Sequence, residues 1–210
     1  MGGSQVSLSQ LEVWVSQARL AKYRDATDPV ALYVWNAELG AAVFELIGHV
    51  EVLLRNAITA TLVPKSGTLP WYDDPFYRFN HQTLQDITKA KARAGGGGRI
   101  VTPDRVVSEL TFGFWRYMLS ATYQATVWPS ANRAFQGLRR SQRNRASLEA
   151  QVLAIADTRN RIAHQEPIFT VPQTRMEADI IELAGHIDPL AAKWIQSISR
   201  VSAALALKPS

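Results

Sequence analysis

An apolar series at Leu39, Val43, Leu46, Val50, Leu53 and Ala57, spaced alternately by four and three residues, restricts this chain more than any other feature. That spacing lines up one face of an α-helix and cannot line up a face of a strand, where successive side chains point to opposite sides. The start of the helix is marked by Asp28, a good N-cap, and by Pro29, which suits the first turn. Followed to about Leu62, such a helix would be roughly 50 Å long. It is expected to be the spine of a bundle.

The rest of the chain repeats the helical period, and strand signals are nearly absent. Helices are predicted over 8–25, over 81–93, and from a Thr102–Pro103 cap with a stripe of Val106, Leu110, Phe114 and Met118. A further helix over about 147–165 carries Leu148, Val152, Ile155 and Ile162, and a last segment over 174–205 breaks at Asp188–Pro189. The fold class is therefore all-α: a helical bundle with one long spine helix and flanking helices, forming a single domain over 1–210. At this length about 70% of the extended-chain surface can be buried. Residues 1–7 are read as a disordered or tag-derived lead. The proline- and aromatic-rich stretch 64–80 is expected to be ordered against the bundle, whereas the run Gly95–Gly98 is the most flexible point.

The chain has no cysteine, which removes thiol nucleophiles, cysteine ligands and disulfides. Its start, "MGGSQVSLSQ", lacks the basic-then-apolar order of a secretory leader, and a cytoplasmic setting is expected. Glu45, Glu51 and Arg55 interrupt the longest apolar region, so no membrane span and no membrane partner are expected. The net charge is +5, and 17 of the 23 basic residues are arginine, which leans toward nucleic acid because a guanidinium forks onto phosphate and stacks on bases. Arg133, Arg139, Arg140, Arg143 and Arg145 fall within 131–145 with no acidic residue between them. That stretch is either a solvated face or an RNA-facing surface.

The residues that carry chemistry lie in "ADTRNRIAHQEPIF", 156–169. Arg159 takes the position that the Leu148, Val152, Ile155, Ile162 stripe leaves open, so it points to the packed side or to the edge of a cleft. Asn160 and His164, four apart, share a neighbouring face, and Arg161 turns more toward solvent. Pro167 ends the helix, leaving His164 in its last turn, where the macrodipole favours positive charge. Structural roles remain open for each: Arg159 paired with Glu51 on the spine, Asn160 bonded to a nearby backbone group, His164 as a C-cap. Arg55–Asn56 repeats the Arg–Asn pair without a following histidine and reads as structural, with Arg55 paired to Glu51 one turn earlier.

"RNRIAHQEPIF" resembles the RNxxxH signature of the HEPN superfamily, and specifically its Abi-like abortive-infection branch. "HVEVLLRNAI" at 49–58 and "ELTFGFWRYML" at 109–119 resemble the same branch, so the likeness spans about 30–170. It implies an all-α, HEPN-like protein acting as a homodimer: a metal-independent endoribonuclease, a hydrolase of phage-defence or toxin–antitoxin systems, with a cognate antitoxin as a further partner. Carried over, Arg159 and His164 form the catalytic pair and Asn160 is the polar residue following the arginine, with Glu166 and Arg161 in supporting roles.

RNA brings its own nucleophile, the 2′-OH, so a proton-transfer group and a cation suffice. No cofactor or metal is called for, and His49, His81, His164 and His186 show no ligand spacing. One histidine cannot easily serve as base and acid at once, which favours a composite site across a two-fold axis. Two alternatives use the same residues: a non-catalytic HEPN-like module that binds RNA, a nucleotide or a protein, and a plain helical interaction protein.

Overall fold

The computed structural model describes residues 6–67, 69–170 and 172–209, and among these every regular element is helical. Residues 1–5 of the lead read as disordered or tag-derived lie outside the described residues. Ser7 belongs to the fold, because its side chain accepts from the Gln10 backbone and Gln10 bonds back to it, a capping box that opens α1 (Leu8–Val15).

The single opening helix expected over 8–25 does not form. Ser16 takes a left-handed φ of 76°, ends α1 and starts the short α2 (Gln17–Leu20) by accepting from the Arg19 N–H. The spine, α3 (Pro29–Thr61), runs 33 residues from the Asp28 cap, whose carboxylate accepts from the Ala31 N–H. Its buried face passes through Leu39, Val43, Leu46 and Val50, then continues with Leu54 and Ile58 rather than Leu53 and Ala57. Leu53 and Ala57 are partly buried against the same core, so the packed face of the spine is wider than the predicted stripe.

Residues 64–80 are ordered as expected. The Asp74 carboxylate, buried at the centre, accepts from the Ser66 hydroxyl and from the backbone N–H groups of Lys65, Ser66 and Phe76. Burial alone would raise its pKa, but those four donors outweigh it and hold the carboxyl well below its ordinary range. Next come α4 (His81–Ala94), α5 (Pro103–Ser108) and α6 (Phe112–Met118). The Gly95–Gly98 run is folded into a 3₁₀ turn over Gly96–Gly98, held by the Arg99 guanidinium on the Gly96 and Arg93 carbonyls.

Val106, Leu110, Phe114 and Met118 are all buried, yet Val106 lies on α5, Leu110 in the turn after it and Phe114 and Met118 on α6, because Thr111 accepts from the Phe114 N–H and restarts the chain. The remaining helices are α7 (Trp128–Ala131), α8 (Arg145–Ala163), α9 (Gln173–Ile187), α10 (Pro189–Ile198) and α11 (Val201–Ala206). The break before Pro189 falls where expected, with Asp188 capping α10. The spine packs against α8, α9 and α11, and α6 packs on α8. One apolar cluster draws buried side chains from every one of these helices. Among the described residues, no helix is long and apolar enough to cross a membrane.

Candidate functional site

Helix α8 begins at Asn144, whose side chain accepts from the Ser147 N–H, and it buries Leu148, Val152 and Ile155. Near its end it crosses the spine closely. A Cβ built on Gly40 would sit 3.4 Å from Ile162 Cγ2, so a larger residue there would push the two helices apart.

The end of α8 is tightly specified. His164 is the C-cap, and Gln165 adopts a left-handed φ of 56°. The Gln165 N–H reaches the Ile162 carbonyl at 2.9 Å and the Glu166 N–H the Arg161 carbonyl at 2.9 Å, the paired bonds of a Schellman ending, here without the usual glycine. Buried Asn36 on the spine clamps the following segment: its amide donates to the Glu166 carbonyl at 3.3 Å and its oxygen accepts from the Ile168 N–H at 2.8 Å. Arg19 donates to the carbonyls of His164 at 2.6 Å and Gln165 at 3.1 Å. Phe169 meets Tyr23 edge to face, with ring centroids 5.2 Å apart. Burial first, and then Tyr33, push the Tyr23 pKa up to about 12 against the pull of Arg19.

Arg159 is half-buried where the stripe predicts it. Its guanidinium lies 5.8 Å from the centre of the Phe44 ring, and its Nη1 faces Asn160 Oδ1 at 3.5 Å. The alternative of an Arg159–Glu51 ion pair is not realised at contact distance, nor is the expected Arg55–Glu51 pair, and Arg55 instead bonds Asn56 at 3.4 Å. Both arginines still act on Glu51 through space, where burial raises the carboxyl pKa and their charges partly offset it.

Arg159 and Asn160 line a cleft of about 490 Å³ between α8 and the start of α6, with Thr111, Gly113, Arg116 and Asp157 on its walls. His164 is exposed and lines a different cleft of about 490 Å³ with Arg19, Lys22 and Glu166. Five residues along a helix turn the chain by about 140°, so within one protomer the arginine and the histidine face apart. The Glu166 carboxylate and the Arg161 guanidinium, both exposed, have no hydrogen-bonding or ionic partner among the described residues.

The basic stretch is partly engaged in building the protein. Arg133 donates to the Thr61 carbonyl, Arg139 to Gln142, Arg143 to the Leu138 carbonyl, and Arg145 to the Leu119 carbonyl while pairing with Glu149. Arg140 alone of the five is exposed and without a partner among the described residues.

Sequence reasoning missed Arg19, Asn36 and Arg116. Asn36 carried a usable signal: it is a polar residue four after Leu32 on the buried face, the same anomaly that singles out Arg159. Arg19 could not have been found, because its target lies 145 residues away. Compared with protein-family models, curated proteins and solved structures, the chain matches none.

Proposed function

We propose that the protein is a metal-independent endoribonuclease of HEPN type, acting as a homodimer whose active site combines Arg159 and Asn160 of one protomer with His164 of the other. The observation that carries this reading is the end of α8, where an arginine with no carboxylate at contact distance, an exposed amide and an exposed histidine cluster on a rigid, doubly clamped helix terminus. Because Arg159 and His164 open into different clefts of one chain, a second copy is needed to bring the two chemistries to one phosphodiester.

A surface for that copy adjoins the site. The outward side of the spine carries Val34, Ala37, Ala41, Phe44, Gly48 and Val52, all exposed, over about 27 Å. Phe44, the ring under Arg159, lies in that stripe. An apolar stripe of this length on a charged bundle is the kind of patch that marks a protein interface.

In the reaction, His164 takes the proton of the 2′-OH as that oxygen attacks phosphorus, and Arg159 holds the nonbridging oxygens as negative charge builds on them. The bond from phosphorus to the 5′-oxygen breaks, the leaving oxygen takes a proton from water, and the protonated His164 returns its own proton to solvent. The products are a 2′,3′-cyclic phosphate and a 5′-hydroxyl. A role in phage defence or in a toxin–antitoxin pair, with a cognate antitoxin, rests on the Abi-like resemblance of the three motifs. The separation of Arg159 from His164 within a chain also favours a second reading, a non-catalytic RNA-binding module.

Incubation of total RNA with wild type and His164→Ala in EDTA decides between them. Cleavage by wild type alone, unaffected by EDTA, is the expected result. Equal cleavage by both proteins, or its loss on chelation, removes the mechanism. RNA binding without any turnover selects the second reading.

A further inference from the structure

We infer that the cleft between α6 and α8 is a binding site for the RNA backbone, with Arg116 as a substrate-binding cation beside Arg159. The inference rests on the ribonuclease reading for the identity of the ligand and adds to it a residue outside the RNxxxH motif.

Arg116 stands on α6 and Arg159 on α8, and both line the same cleft of about 490 Å³, a size suited to a small polar group rather than to a single water. Arg116 is half-buried, yet its guanidinium has no hydrogen bond, ion pair or ring contact among the described residues. Two other half-buried arginines of this chain are satisfied by the protein, Arg145 by Glu149 and the Leu119 carbonyl and Arg143 by the Leu138 carbonyl, while Arg55 reaches only Asn56. Withdrawing five N–H donors partly from water without giving them acceptors is unfavourable, and an anion in the cleft would supply them.

Arg159 has the same deficit, since its recorded neighbours are an amide oxygen and an aromatic ring. Two guanidinium groups facing one cleft repel, and a phosphate between them turns that repulsion into charge-assisted hydrogen bonds. Asp157 on the wall is exposed and pairs with neither arginine at contact distance, so positive charge predominates.

Neutral donors complete the site. The Thr111 oxygen accepts from the Phe114 N–H at 3.3 Å, which leaves its own proton to donate. Gly113 exposes bare backbone to the cleft: a Cβ there would meet only Thr111 Oγ1, at 3.7 Å. The same donors would take a phosphate from RNA or from a free nucleotide. RNA is favoured because the cleft contains Arg159 and Asn160, which the composite site sets beside the reacting phosphodiester, so a strand anchored here continues into that site.

The test uses the full chain and a fluorescent single-stranded 2′-O-methyl RNA, which cannot be cleaved, with affinity followed by anisotropy across a salt series. Arg116→Ala is expected to weaken binding about tenfold and to reduce the salt slope by about one, the loss of one phosphate contact. Lys193→Ala, which removes an exposed charge elsewhere, stays within about twofold. Gly113→Leu, whose Cβ meets only Thr111 Oγ1 and which adds bulk to the cleft wall, weakens binding as Arg116→Ala does. If Arg116→Ala reduces the melting temperature, Arg116→Gln is measured instead.

Binding by Arg116→Ala that equals Lys193→Ala, or wild type that does not bind, overturns the site. A mononucleotide that binds as tightly as the oligonucleotide, and depends equally on Arg116, overturns the assignment to RNA. Separately, an oligonucleotide with free 2′-OH groups that stays intact while Arg116-dependent binding persists removes the nuclease reading and leaves the cleft standing.

Discussion

His164 carries two roles that mutation can separate. Its backbone is the C-cap of α8, whereas its imidazole is exposed and unbonded among the described residues, so His164→Ala should abolish RNA cleavage and shift the melting temperature by no more than about 2 °C. A large loss of stability would instead mark the ring as structural. Asn36 is the opposite case, a buried amide that closes two backbone bonds of the segment after the motif. Asn36→Ala leaves those groups unpaired and is expected to lower stability by about 1–3 kcal/mol in chemical denaturation, and to lower cleavage as well, although Asn36 touches no substrate. Gln165 holds a left-handed conformation that a glycine adopts without strain, so Gln165→Gly should raise stability by up to about 1 kcal/mol. A decrease would mean that the glutamine side chain contributes more than its backbone loses.

At the level of segments, what could be read in advance depended on whether the signal was local. Caps at Asp28 and Thr102, the break at Asp188–Pro189 and the stripe of the spine were legible, because capping, proline sterics and periodicity act within a few residues. The break at Ser16 and the restart at Thr111 were not, since each is a serine or threonine whose side chain competes for a backbone N–H inside an otherwise helical pattern.

Gly137 shows a different limit. A Cβ there would lie 1.8 Å from the Gly185 carbonyl oxygen, and the Gly137 N–H donates to the His186 carbonyl at 3.0 Å, so this loop lies directly on the end of α9. Gly137→Ala must displace backbone and is expected to cost about 1–3 kcal/mol, checked by thermal or denaturant unfolding.

The loop over 64–80 should make the fold acid-sensitive through Asp74. Its folded pKa is depressed, so its contribution is fully present above the unfolded value, about 3.9, and is lost as pH falls below that toward the folded value. Wild type should lose melting temperature below about pH 4, and Asp74→Asn, less stable at neutral pH, should lose less over the same range.

The assembly is tested on the outward face of the spine. A side chain added at Gly48 would have nothing within 4 Å in its own chain, and replacing a mid-helix glycine favours the helix by roughly 0.5–1 kcal/mol. Gly48→Glu should therefore leave each protomer folded, convert a wild-type dimer to monomer in light scattering, and abolish cleavage together with dimerisation. A wild type that is monomeric at micromolar concentration with full activity would rule out the composite site.

The sequence by itself determined the all-helical character, the long spine, the caps at Asp28 and Thr102 and the odd placement of Arg159, because helix periodicity and capping depend on neighbours a few residues apart. Only the tertiary structure decided which polar groups remain unpaired. Arg133, Arg139, Arg143 and Arg145, which read as either a solvated face or an RNA-facing surface, find acceptors within the fold, whereas Arg116, given no role of its own within the 109–119 motif, finds none among the described residues. Whether a guanidinium is satisfied depends on carbonyls and carboxylates that the fold brings to it from distant parts of the chain, and residue type and spacing do not encode those meetings.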